Sequence, residues 1–169
     1  MKLRGLSSFK GCMSTSSMLK IRIVTPQSAE AFQRYFDLRW RILRKPWGQP
    51  PGSERDRHEK EAIHVMACDA EGTPIGIGRL HLLSDNKAQI RFMAVEERFR
   101  RQGIGSAILA ELERRARALG IKRIVLNARA SEKGFYERQG YRCIGRGPTL
   151  FGAIRHHKMV KDLMPREAP

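Results

Sequence analysis

"RFRRQGIGSAILAELERRARALG" (residues 98–120) gathers three arginines directly ahead of a Gly-x-Gly pair and then settles into helical periodicity. Ile104, Ala107, Ile108, Leu112, Ala116 and Leu119 recur at the spacing of one helix face, and Gly120 supplies a stop. The helix therefore begins at the glycines. A helix N-terminus carries about half a positive charge and up to four N–H donors without an internal partner. Glycines let those donors approach an anion closely, so Arg100-x-x-Gly103-x-Gly105 can form a phosphate cradle to which Arg100 and Arg101 add charge-assisted bonds. The plainer alternative is a glycine turn flanked by solvated arginines. Two better-known phosphate motifs fail here. A P-loop needs Gly-Lys-Ser/Thr after its spacer, and a dinucleotide fingerprint needs a third glycine where Ile108 stands.

Working outward, Leu19–Thr25 alternates as a strand, and Ser28 can cap a helical stretch running to about Leu43. "KPWGQPPGSERDRHEKE" (45–61) is a long loop rich in proline, glycine and charge, a kind more often functional than filler. Ile63–Cys68, Ile75–Leu83 and Ala88–Val95 are separated by short turns, which predicts an antiparallel meander. Past the central helix come a strand at Arg123–Leu126, a helix opened by Ser131 and closed by Gly140, an extended Tyr141–Ile144 and a final strand at about His156–Leu163. The order predicts one mixed α/β sheet with no repeats.

Composition narrows the class. The 169 residues are 41% hydrophobic, enough for one real core, and no apolar run approaches the ~20 residues of a membrane span. A soluble protein that does not engage a membrane is expected. Cys12, Cys68 and Cys143 form no Cys-x-x-Cys pair, which argues against a disulfide framework or zinc site and suits a reducing cytoplasm. The 33 Lys and Arg against 17 Asp and Glu leave +16, a field that attracts anions without choosing among them. Residues 1–17, basic and serine-rich, are expected to be a disordered tail or to precede a true start at Met13 or Met18, leaving 18–169 as the domain.

"IRFMAVEERFRRQGIGSAILAELERRA" (90–116) resembles the acyl-CoA-binding strand–loop–helix of the GNAT acetyltransferase superfamily, whose pattern is Gln/Arg-x-x-Gly-x-Gly/Ala. "LNARASEKGFYERQGYRCIG" (126–145) resembles that superfamily's Tyr-Glu-x-x-Gly-Tyr/Phe signature. "LFGAIRHHKMVKDL" (150–163) resembles the Ile-x-His-x-x-Met closing segment of its small stand-alone members. The resemblance implies a six- to seven-stranded, mostly antiparallel sheet flanked by helices and splayed at the CoA-binding strand. It implies acetyl-CoA as co-substrate and direct transfer to an amine acceptor, a small molecule before a protein, by a monomer or homodimer. Met93, Ala94 and Val95 would pair with the pantetheine arm. Arg100, Arg101, Gln102, Gly103, Ile104, Gly105 and Ser106 would hold the pyrophosphate, and Asn127 would bond the pantetheine amides. The commoner asparagine of the family falls at Arg129 here.

Tyr136 is the catalytic candidate that the resemblance implies. A phenol with a pKa near ~10 is protonated at neutral pH and can donate to a departing thiolate whose thiol lies nearer ~8.5. The base stays open among His81, His156, Glu132, Glu54 and a water chain, since Gln89 and Arg91 stand where many relatives carry a glutamate. Around the acceptor, Arg39, Arg41, Arg44, Trp40, Trp47, Glu54 and Asp56 cluster in sequence, and Arg39, Arg44 and His156 are the expected substrate contacts. No metal is expected, because His64, His81 and His156 lack ligand spacing. Cys68 and Cys143 have no histidine at a recognisable spacing, against a covalent enzyme intermediate. A non-catalytic CoA sensor and a basic nucleic-acid- or ribosome-associated protein are the competing classes. The chain lacks the basic–aromatic strands and helix-turn-helix pattern that nucleic-acid binding would need.

Overall fold

The computed structural model describes residues 19–163. The basic tail at 1–17 lies outside the described residues. Seven strands form one sheet in the order β1-β2-β3-β4-β5-β7-β6, over β1 Arg22–Val24, β2 Ile63–Cys68, β3 Pro74–Ser84, β4 Lys87–Val95, β5 Arg123–Arg129, β6 Arg142–Arg146 and β7 His156–Asp162. Only β4 and β5 pair in parallel, because the helix between them returns the chain in the same direction. Helices α1 (Ala29–Leu43), α2 (Ile104–Ala118) and α3 (Lys133–Arg138) flank the sheet.

Alternation along the strands sorts the core into two layers. Val65, Ala67 and Leu80 turn to one side, where Ile104, Ile108, Leu109, Leu112 and Ala116 of α2 meet them together with Tyr136 and Tyr141. Met66, Cys68 and Ile77 turn to the other, beneath Tyr35, Phe36, Leu38 and Leu43 of α1. Each fully buried aliphatic side chain contributes roughly 1.5–3 kcal/mol. The approach of α2 to β3 requires glycine at two strand positions. A Cβ at Gly76 would sit 2.8 Å from Ile108 Cδ1, and one at Gly78 would sit 2.6 Å from Met93 Sδ.

Helix α1 is capped as its sequence suggests, with the amide of Ala31 donating to Ser28 Oγ at 3.1 Å. The α3 entrance differs from expectation. Residues Ala130–Glu132 form a tight 3-10 turn, so Ser131 is itself wound into the spiral and α3 starts at Lys133 without a side-chain cap. Strand β1 is shorter than its alternation suggested, and β5 runs three residues further, to Arg129, where it pairs with His156 of β7.

Two features of β4 place the site. Ile77 pairs with Ala94 but Arg79 pairs with Arg91, so Gly78 stands opposite both Phe92 and Met93, and β4 bulges there. Phe92 takes a φ of +57°, a costly backbone for a bulky residue. Beyond Ile90 and Leu126 the pairing of β4 with β5 stops while both strands continue. The sheet opens into a V.

Candidate active site

A cavity of about 140 Å³ occupies the mouth of that V. Ile90, Arg91, Phe92 and Met93 form one wall, Leu126, Asn127 and Arg129 the other, and Arg44, Glu132, Tyr136 and His156 close it. Two strands that diverge after a shared register thus bring together β4, β5, the end of α1, α3 and the start of β7.

Tyr136 is 8% exposed, packs edge-on against Phe135 and Tyr141, and reaches the cavity wall. No group among the described residues hydrogen-bonds its hydroxyl. Burial, and then the nearby Glu132 carboxylate, push the phenol above its ordinary value against the opposing pull of Arg129. It is therefore a protonated donor at neutral pH with its proton uncommitted.

His156 is held by its own backbone neighbourhood. Nδ1 lies 3.0 Å from both Pro148 O and Ile154 O, two acceptors that require Nδ1 to carry the proton. Nε2 is then the ring's lone-pair atom. Burial, and beyond it the charges of Arg129 and Arg91, lower the histidine from its ordinary value despite the two carbonyl contacts. A neutral imidazole with a fixed tautomer is the form a general base needs. Gly147 makes this placement possible, since a Cβ there would lie 3.0 Å from His156 Cβ and 3.1 Å from Asn127 Oδ1.

The other base candidates are placed elsewhere. Glu54 is 3% exposed, with its carboxylate accepting from Gly52 N at 2.7 Å and Arg55 Nε at 3.1 Å. His81 is buried against His58 and Arg79 Nη2, and burial, followed by the Arg79 charge, takes its pKa to about 4. Neither lines the cavity, whereas Glu132 and His156 do.

The acceptor residues divide. Arg44 lines the cavity, but Arg39 is fully buried. Arg39 donates to Glu54 O at 3.1 Å, to Glu59 Oε1 at 2.8 Å and to Tyr35 Oη at 2.9 Å, so the expectation of a substrate contact there is corrected. Its position in phase with Tyr35 and Leu43 puts it on the inner face of α1. Asp56 is likewise structural: it accepts from Arg79 Nη1 at 2.6 Å and Nη2 at 2.9 Å. Arg91 and Arg129 are the cavity residues that the acceptor reading missed. Arg91 stands on the bulged strand and Arg129 at the position of the family's commoner asparagine.

The cradle residues assemble on the adjoining helix end. α2 begins at Ile104 with Gly103 as a left-handed N-cap at φ +80° and no side-chain cap, leaving its first-turn N–H groups without internal partners. No described atom lies within 4 Å of a Cβ placed on Gly103, and one on Gly105 would make only ordinary contact with Phe135, at 3.5 Å. Internal packing therefore does not demand glycine at 105. Arg100 Nε donates to Val95 O at 3.2 Å, tying the arginine to the end of β4, and Arg101 adopts φ +60°. Gln102 Nε2 donates to Arg98 O, and Ser106 Oγ accepts from Gln139. Met93, Ala94 and Val95 run along the β4 edge that β5 leaves unpaired, and Met93 and Asn127 line the cavity from the two diverging strands.

Among the described residues, no group of three or more His, Cys, Asp or Glu side chains could hold a metal ion. Nor is any helix long and apolar enough to cross a membrane. Cys143 does have a histidine neighbour, His157 Nδ1 at 3.9 Å, on an exposed stretch that the cavity does not include.

Comparison with known proteins agrees with this geometry. The model of the acetyltransferase (GNAT) family matches residues 32–141. YjcF of Bacillus subtilis (strain 168), an uncharacterized N-acetyltransferase, is 29% identical over 142 residues, covering 84% of this chain and all of that protein. Among solved structures, an aminoglycoside 6'-N-acetyltransferase complexed with coenzyme A superposes with a TM-score of 0.72 at 18% identity, over 89% of this chain and 100% of its own. A GNAT-family acetyltransferase from Staphylococcus aureus Mu50 gives 0.71 at 18% identity, over 86% and 100%. The chain belongs to the acetyltransferase (GNAT) family and is an enzyme of the N-acetyltransferase type.

Proposed function

We propose that residues 18–169 act as one domain that transfers an acyl group, acetyl in the first instance, from acyl-CoA directly to the amine of a small molecule. The observation that carries this reading is the juxtaposition of an uncapped, glycine-entered α2 N-terminus with a V-shaped cavity holding an unpartnered tyrosine hydroxyl. A structural neighbour complexed with coenzyme A supports the choice of donor.

The first-turn N–H groups of α2, Arg100 and Arg101 hold the donor's pyrophosphate. The open edge of Met93–Val95 and the side chain of Asn127 align its amide-bearing arm in the mouth of the V. Bound acetyl-CoA supplies an activated thioester. His156 Nε2 takes the proton that the acceptor ammonium gives up, made available by the Nδ1–H contacts to Pro148 O and Ile154 O. The carbon–nitrogen bond forms as the carbon–sulfur bond breaks, the new amide nitrogen sheds its second surplus proton to solvent, and Tyr136 gives its own proton to the leaving sulfur and is reprotonated from solvent. Among the described residues, Cys68 and Cys143 are free and lie outside the cavity lining, in keeping with transfer that forms no bond to the protein. Free thiols also suit a reducing compartment such as the cytoplasm.

Release of free CoA thiol from acetyl-CoA with an amine panel tests the reading. General acid–base groups contribute about 10²–10⁴-fold, so Tyr136→Phe should lower single-turnover transfer by that range while acetyl-CoA affinity stays within about threefold of the parent. Parental transfer by Tyr136→Phe would make this residue a core aromatic and remove it from the chemistry.

A further inference from the structure

We infer that the acceptor carries an anionic group, a carboxylate or phosphate, and that Arg44 and Arg91 hold it. The inference rests on the acyl-transfer reading above and names the substrate class of the same site.

The cavity wall presents three guanidinium groups, Arg44, Arg91 and Arg129, against the single carboxylate of Glu132. Their pairing differs sharply from that of the arginines beneath them. Among the described residues, Arg44 donates only to main-chain carbonyls, Ser53 O at 3.1 Å and Leu43 O at 3.1 Å. Arg91 makes one hydrogen bond among the described residues, to Asp56 Oδ2 at 3.1 Å, and that carboxylate is already engaged through both oxygens by Arg79. Arg129 has no hydrogen-bonding partner among the described residues. Burial first, and then neighbouring cations, lower all three below the ordinary guanidinium value, though a guanidinium stays charged. Arg91 and Arg129 act on Arg44, Arg79 and Arg39 act on Arg91 against the pull of Asp56, and Arg100 acts on Arg129. Half-buried cations left short of counter-charge are costly unless a ligand completes them.

Position separates the three. Arg129 interacts with Arg100, Glu132 and Tyr136, so it belongs to the donor side of the V. Arg44 and Arg91 belong to the α1 side, grouped with the Phe92 ring at 5.5 and 4.8 Å. Arg44 also lies 5.5 Å from the Phe151 ring, which stacks on Trp47 at 6.4 Å, both rings about two-fifths exposed. These rings mark a rim on the acceptor side. A cavity of about 140 Å³ admits the reacting end of a small aminocarboxylate or aminophosphate. The same positive field disfavours polycationic amines and lowers the pKa of an acceptor ammonium, easing its loss of a proton to His156. A forked guanidinium fits a carboxylate or phosphate through two parallel bonds.

The test compares twin amines at saturating acetyl-CoA: β-alanine with propylamine, phosphoethanolamine with ethanolamine, and spermidine as the cation. A charge-assisted contact changes affinity by about ten- to a hundredfold, so each anionic member should exceed its neutral twin in kcat/KM by at least about tenfold. Arg44→Gln and Arg91→Gln should raise KM for the anionic members by about tenfold or more. Their loss for the anionic members should exceed any change for the neutral twins by about tenfold, with acetyl-CoA affinity parental. Arg57→Gln, an exposed arginine off the cavity, should change nothing. Neutral amines or spermidine serving as well as the anionic members would overturn the inference, as would Arg44→Gln and Arg91→Gln variants that handle both twins alike. Should no amine in the panel react, inorganic phosphate titrated into CoA-saturated protein must still bind one-to-one and lose that binding in Arg44→Gln; no binding overturns the inference. Acetyl-CoA that fails to bind would instead remove the acyl-transfer reading itself.

Discussion

Arg39 and Arg44 stand five positions apart at the end of one helix, and Arg79 and Arg91 face each other across two paired strands. Yet the members of each pair live in opposite circumstances. Arg39 and Arg79 are fully buried and anchored on Glu59 and Asp56, which pins the 45–61 loop to the sheet. Arg44 reaches the cavity with no carboxylate partner among the described residues, and Arg91 has only a share of Asp56, at 3.1 Å, which Arg79 already holds through both oxygens. All four guanidinium groups surround the Phe92 ring at 4.3 to 5.5 Å, so residue type and neighbourhood barely separate them. Pairing does: the charges of Arg39 and Arg79 are met by carboxylates on the 45–61 loop, whereas Arg44 and Arg91 keep charge in excess at the cavity, where the anionic acceptor is proposed to bind.

The comparison breaks most visibly in stability. Arg79→Ala leaves Asp56 and Glu59 facing a lost partner, and removing one member of a buried pair costs about 3–5 kcal/mol. Arg44→Ala removes a repelled charge and two main-chain bonds, so its change should stay under about 1 kcal/mol. Urea unfolding of both variants checks this, and equal losses would erase the distinction. Acid sharpens the same point. Burial works against ionised Asp56, but the Arg79 bonds, the amide of His58 and the Arg79 and Arg91 charges prevail and hold its pKa well below the ordinary carboxylate range. A lowered carboxylate contributes stability that is complete above its unfolded pKa of about 3.9 and fades as pH falls toward the folded value. Unfolding free energy followed from pH 6 to pH 2 should therefore drop, and Asp56→Asn should flatten that slope. A smaller effect belongs to the α2 layer, where Gly78→Ala should cost about 1–3 kcal/mol by overpacking against Met93 and Ile108. An unchanged thermal midpoint would show that α2 can yield.

These contrasts also mark where the sequence stops being legible. Ile63–Cys68 and the Ser28 cap could be read directly, because alternation and a capping hydroxyl are local signals. So could the entrance of α2, since Arg100 to Ser106 is a contiguous stretch whose glycines mark where the helix begins. The fate of Arg39 was written in helical phase with Tyr35 and Leu43, a signal that its charge obscured. The bulge at Phe92 was not legible, because it arises from a one-residue mismatch with β3 that no property of β4 alone announces. For the same reason Arg91 and Arg129 carry no local mark of a shared cavity. The splay of β4 from β5 brings them together, and that splay is a property of the whole sheet.

The account stands or falls on what the α2 N-terminus holds. Gly105 is the second residue of that helix, where an aspartate favours the helix dipole and where its Cβ would find room beside Phe135. Gly105→Asp should therefore keep or raise the melting temperature while placing a negative charge in the cradle. Calorimetric titration with acetyl-CoA is the measurement. An affinity at least about tenfold below the parent, in a protein no less stable, is the expected result; parental affinity would contradict the placement of the pyrophosphate at residues 100–106 and the mechanism built on it.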